Sequence, residues 1–139
     1  MKRYEFTIDL DPSEHTHQAG THFKVVGKRA MSYKDMELKR VEKLLNIYMA
    51  RNKPEEKLDG ALGVTISFFK HQETMNGKKL KQNVWKTTKP DCENWSKTAI
   101  DVLKKYFMHD DNQICDLHIT KKATPGDGYI KIVVRELEE

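Results

Sequence analysis

The chain has 139 residues, 37% hydrophobic and 33% charged, a length that suits one domain spanning 1–139 with one ordinary core. Size scaling lets roughly two-thirds of its surface be buried without covalent staples. The two cysteines, Cys92 and Cys115, are too few for a disulfide framework or a four-thiolate zinc site. Apolar runs fall well short of the ~20 residues a membrane span needs, and residues 1–6 pass straight into an alternating pattern without an apolar signal segment. A cytoplasmic protein with no membrane partner is therefore expected, and nothing in the sequence calls for a small-molecule cofactor. The formal charge of +4 is a mild bias toward polyanions.

Tyr4, Phe6, Ile8 and Leu10 alternate with the two-residue period of a half-buried strand over 4–10. A histidine-bearing polar stretch follows, and 22–26 is expected as a short second strand. Ser32 reads as a helix cap. Beyond it Tyr33, Met36, Val41, Leu44, Leu45 and Tyr48 recur at three- and four-residue spacing, one stripe facing a core. Pro54 stops this helix near Asn52. Leu62, Val64, Ile66 and Phe68 alternate again, giving a strand over 62–69. The segment 71–83 carries Gly77 and little apolar content, so it reads as a mobile surface loop, and 84–88 as a short strand.

A second helix is expected from about Glu93 or Asn94 to Met108, burying Trp95, Ala99, Val102, Leu103, Tyr106 and Phe107. The turn composition His109-Asp110-Asp111-Asn112 ends it. Strands over 114–120 and 129–135 flank the turn Pro125-Gly126-Asp127-Gly128. The order β(β)αβ(β)αββ gives an α+β fold, a two-layer sandwich with two main helices on one face of a small mixed sheet.

Charge is unevenly placed. Lys70, Lys78, Lys79, Lys81, Lys86 and Lys89 face a single acid, Glu73, and the sign then flips at Asp91, Glu93, Asp110 and Asp111. Asp91 and Glu93 are two apart, on one side of an extended segment, just ahead of a helix N-terminus that favours negative charge. If Asp91, Glu93 and Asp111 meet, their oxygens suit Mg²⁺ or Mn²⁺ rather than zinc, a setting for phosphodiester hydrolysis. Lys97, four residues beyond Glu93, can reach back to stabilise transition-state charge. The same residues also read as a plain N-cap, an i,i+4 ion-pair ladder through Asp101, and an ordinary acidic turn. Spacing alone leaves both readings open.

The segment Lys89-Pro90-Asp91-Cys92-Glu93-Asn94-Trp95-Ser96-Lys97, followed by Asp101-Val102-Leu103 and Asp110-Asp111-Asn112-Gln113, resembles the signature of the RusA family of Holliday junction resolvases, K-P-D-x-D-N-x-x-K, D-x-L and D-D-x-Q. Thr16-His17-Gln18 is similar to a T-H-Q of phage-type members. The resemblance implies a homodimeric, Mg²⁺-dependent endodeoxyribonuclease that makes paired nicks across four-way junction DNA in recombination and repair. Asp91, Glu93 and Asp111 would bind metal with Asp110 beside them, and Lys97 would be the essential lysine. Glu93 departs from the family pattern by one methylene, and a misplacement of about 1 Å can be costly in catalysis.

The lysines of 70–89, together with His17, Lys28 and Arg29, are the candidate DNA contacts, against a plain solvated-loop role for each. His15, His17 and His22 have no second cluster at zinc spacing. Trp95 is expected in the core or a dimer interface, Cys92 in packing, and Cys115 buried in a strand. Two other readings remain: a junction binder whose metal chemistry Glu93 has weakened or silenced, and a small basic nucleic-acid-binding module with structural acids.

Overall fold

The computed structural model describes residues 1–12 and 33–138. The expected strand at 22–26, Thr16-His17-Gln18, Lys28 and Arg29 lie outside the described residues. β1 (Arg3–Ile8) is followed by α1 (Tyr33–Asn52), β2 (Leu62–His71), a hairpin of β3 (Thr74–Met75) and β4 (Lys78–Lys79), and β5 (Val84–Trp85). α2 (Cys92–Tyr106), a 3-10 turn (Asp111–Gln113), β6 (Ile114–Thr124) and β7 (Tyr129–Glu136) complete the order.

Among the described residues, five strands form one mixed sheet in the order β1-β7-β2-β6-β5. Among the described strands of this sheet only β2 and β6 pair in parallel, because the chain between them crosses back through α2. The strands alternate as their sequences require: Phe6, Ile8, Val64, Ile66, Phe68, Ile130, Ile132 and Val134 are buried in one cluster with Val41, Leu45 and Met49 of α1 and Trp95, Ala99, Val102 and Leu103 of α2. Each large side chain so buried contributes about 1.5–3 kcal/mol. Trp95 is thus a core residue, tilted against Phe68 at 5.9 Å between ring centroids. This is the expected α+β sandwich.

The turn at 125–128 does not close a hairpin between neighbours. β7 pairs with β1 and β2, so the turn crosses the end of β2. Gly128 makes the crossing possible: a Cβ there would sit 2.8 Å from the Phe69 carbonyl oxygen and run into the Asp11 carboxylate. Asp11 in turn accepts from the His71 amide at 2.8 Å and the Lys70 ammonium at 2.9 Å.

Several expectations are corrected. The segment 71–83 contains the β3–β4 hairpin, turned by Asn76 and Gly77 at φ 55° and 79°, the Asn-Gly signature of a tight turn; its Leu80 is buried. β5 is only two residues long, whereas β6 runs on to Thr124. Cys115 is exposed, not buried, its thiol directed to the Gln113 carbonyl. Met36 is exposed rather than part of the α1 stripe. No helix among the described residues is long and apolar enough to cross a membrane.

Candidate active site at the two ends of α2

α2 begins at Cys92, earlier than its apolar stripe suggests, because Asp91 caps it: the Asp91 Oδ1 accepts from the Glu93 amide at 3.0 Å and the Asp91 carbonyl accepts from Trp95 at 3.1 Å. Glu93 therefore lies in the first helical turn, and the extended segment that would have put both carboxylates on one side does not exist. Both carboxylates are exposed at a helix end whose unpaired amides favour anions. Cys92 packs half-buried against the core, as expected. Glu93 and Lys97 make the i,i+4 pair at 3.8 Å, with both side chains more than half exposed; such a pair contributes little to stability and is free to rearrange.

The approach to Asp91 is held from below. Lys121, on β6, donates to the carbonyls of Thr88 at 2.6 Å and Pro90 at 2.8 Å. Lys86 donates to Gln72 Oε1 at 2.6 Å and Thr88 Oγ1 at 2.9 Å. With Thr87 to Cys92, Lys121 lines a shallow open depression. Nothing near the motif pointed to Lys121: it lies thirty positions further along and reaches the turn only because β6 runs beneath it.

At the other end, Asp110 caps the 3-10 turn, its Oδ1 accepting from the Asn112 amide at 2.9 Å. That bond is the main reason its carboxyl titrates below the ordinary aspartate range. Asp111 opens the 3-10 turn, not the strand itself. Gln113 closes the structure: its Oε1 accepts from the amides of His109 at 2.7 Å and Asp110 at 3.0 Å, and its Nε2 donates to the carbonyls of Leu58 and Gly60. The glutamine of the D-D-x-Q pattern is thus the side chain that fixes the acidic turn to the segment leading into β2.

Two rulers measure the separation of these ends. The fifteen residues of α2 span about 22 Å at 1.5 Å per residue. Along β6, the Asp91 turn sits over Lys121 while the Asp111 turn adjoins Ile114, about 23 Å apart at ~3.3 Å per residue. Within one chain the two acidic ends do not meet. Consistent with this, no group of three acidic, histidine or cysteine side chains among the described residues is placed to hold a metal ion.

Of the candidate DNA-contacting lysines, Lys78, Lys79, Lys81 and Lys89 are exposed. Lys70 is bound to Asp11, and Lys86 is engaged in the turn.

The fold and these two capped ends define a small mixed-sheet α+β protein with acidic groups at both termini of a central helix. The family model for endodeoxyribonuclease RusA matches residues 12–135, and the chain belongs to that family. It is also 26% identical over 95 residues to the uncharacterized protein YqaN of Bacillus subtilis (strain 168), a match covering 63% of this chain and 66% of that protein.

Proposed function

We propose that the chain is a divalent-metal-dependent endodeoxyribonuclease that resolves four-way DNA junctions as a homodimer. The observation that carries this reading is the motif itself: Asp91, Glu93, Lys97 and Asp111 stand exposed at opposite ends of one helix, in a chain that belongs to the RusA family.

The donor set is oxygen only, which suits Mg²⁺ or Mn²⁺. One chain spreads that set over about 22 Å, so a complete site needs the Asp91 end of one copy beside the Asp110-Asp111 turn of another. A two-fold dimer supplies both sites at once, which is what paired symmetric nicks require. Asp91 and Glu93 from one chain and the partner's Asp111, with its Asp110 adjacent, would hold the metal, whose charge would favour an ionised water and the leaving oxygen. Lys97 leaves its loose pairing with Glu93 to neutralise charge on the phosphate. The Lys121 contacts keep Asp91 in place when DNA docks, and Lys78, Lys79, Lys81 and Lys89 neutralise backbone phosphates, each adding nearly one unit to the salt slope.

A second reading is favoured by Glu93, whose extra methylene relative to the family pattern lengthens ligand reach: a junction binder of the same fold with weak or silent cleavage. Cleavage of an end-labelled four-way junction in Mg²⁺ or Mn²⁺, wild type against Asp91→Asn, separates the two. The nuclease reading expects symmetric paired nicks that chelator abolishes and Asp91→Asn reduces at least about 100-fold, the scale on which a misplaced catalytic group costs rate. Junction binding without nicks in the wild type selects the silent binder, and Glu93→Asp is then the rescue. Equal affinity for a junction and linear duplex leaves a basic nucleic-acid-binding module with structural acids.

A further inference from the structure

Trp85 lies on β5, the edge strand next to the candidate site, and is 65% exposed, whereas Trp95 is 1% exposed in the core. Exposing an indole of this size to water forgoes the burial that fold stability would favour. Its register partner on β6 is Lys122, whose ammonium stands 4.5 Å from the ring centroid. The next residue, Lys86, is bonded through its amide to the Lys121 carbonyl, and Lys121 holds the turn that delivers Asp91. Lys121 and Lys122 are successive on β6 and point to opposite faces of the sheet, so the ring stands at the sheet edge that this turn borders, on the face away from α2. Between Glu73 and Asp91 the chain carries lysines and no acid.

An exposed aromatic face beside a lysine, in a lysine-rich segment, is an arrangement that single-stranded nucleic acids use for base stacking. A second copy of this chain is a poorer occupant, since it would bring two lysine-rich edges together. Continuous duplex offers groove edges and phosphates but no free base face. Where strands exchange, bases can unstack, and a flat ring can cover one.

We propose that Trp85, with Lys122 beside it, is the stacking platform for a base at the branch point, and that it gives the protein its preference for branched over continuous DNA. This rests on the junction reading above. Lys122 supplies charge to the adjoining phosphate and orients the ring; the indole supplies the selectivity.

The test is binding of the full chain to a labelled four-way junction and to a duplex of the same arm sequence, in EDTA so that nothing is cut, for wild type, Trp85→Phe and Trp85→Ala. Trp85→Ala should weaken junction binding by roughly 5- to 100-fold, as loss of one stacked base does, with duplex affinity changed less than about twofold, on the electrostatic argument. Trp85→Phe should retain most of the junction affinity. Junction binding should also quench the tryptophan fluorescence of wild type and leave that of Trp85→Phe, which keeps only Trp95, unchanged. Equal losses on junction and duplex overturn the proposal, as does unaltered selectivity in Trp85→Ala or a change in its oligomeric state. A wild type with no junction preference overturns the proposal and the junction reading together; a wild type with that preference, undiminished in Trp85→Ala, overturns the Trp85 role alone.

Discussion

Lys121 is the residue whose role is least visible in the sequence and most specific in the structure. One ammonium satisfies two backbone carbonyls, those of Thr88 and Pro90, directly ahead of the Asp91 cap. Replacing it by Met keeps the aliphatic stem but leaves those carbonyls without their donor. The expected result is a loss of about 1–3 kcal/mol of stability, read as a lower urea midpoint with unchanged m, and a drop in cleavage rate larger than the drop in junction affinity. Equal drops in rate and affinity would make Lys121 a DNA contact rather than a positioning residue. Asp91 shows how far spacing reaches: an acid before a helix was legible, and so was its capping role, but whether it shared a face with Glu93 depended on where the helix began. The cap itself decided that, by drawing Cys92 and Glu93 into the first turn.

At the scale of elements, the long strands and both helices could be read from periodicity because each buries one face: Val64, Ile66 and Phe68 at alternate positions, Val41, Leu45 and Met49 at every fourth. The β3–β4 hairpin is hard to read because lysines hide its pattern, although Asn76-Gly77 marks the turn. The crossing of the 125–128 turn over β2 could not be read at all, since pairing partners are set by the whole sheet. Gly128 makes the crossing testable. Gly128→Ala places a methyl against the Phe69 carbonyl and Asp11, and should destabilise the fold by about 1–3 kcal/mol, the usual cost of overpacking; an unchanged melting temperature would mean that the turn moves freely. The outer face of the sheet gives a pH expectation. Glu5 on β1 accepts from Lys131 of β7 at 3.0 Å and from Arg3 at 2.7 Å, and these bonds, Lys131 first, hold its carboxyl below the ordinary glutamate range. The contribution of this pairing is complete above the unfolded value of about 4.3 and is lost as pH falls through the lower folded value. In a carboxyl-resolved NMR titration, Lys131→Ala should move the Glu5 midpoint upward; no movement would assign the shift to Arg3.

For the whole molecule, the family signature was legible in the sequence, and so was the helix between its two acidic parts; that these parts stay about 22 Å apart within one chain was not, because it depends on how the fifteen residues of α2 lie along β6. The most direct measurement is complementation between two inactive chains. Asp91→Asn and Asp111→Asn are prepared separately, each expected to lack junction cleavage, then mixed under conditions that let subunits exchange, and assayed on a labelled four-way junction with Mg²⁺. If each site draws Asp91 from one chain and Asp111 from its partner, the mixed dimer carries both lesions in one site and none in the other, and single nicks return at up to about a quarter of the wild-type rate, since half the dimers are mixed and each has one intact site. If the mixture stays as inactive as its components while wild type cuts, the site is built within one chain and the two-ended dimer is wrong.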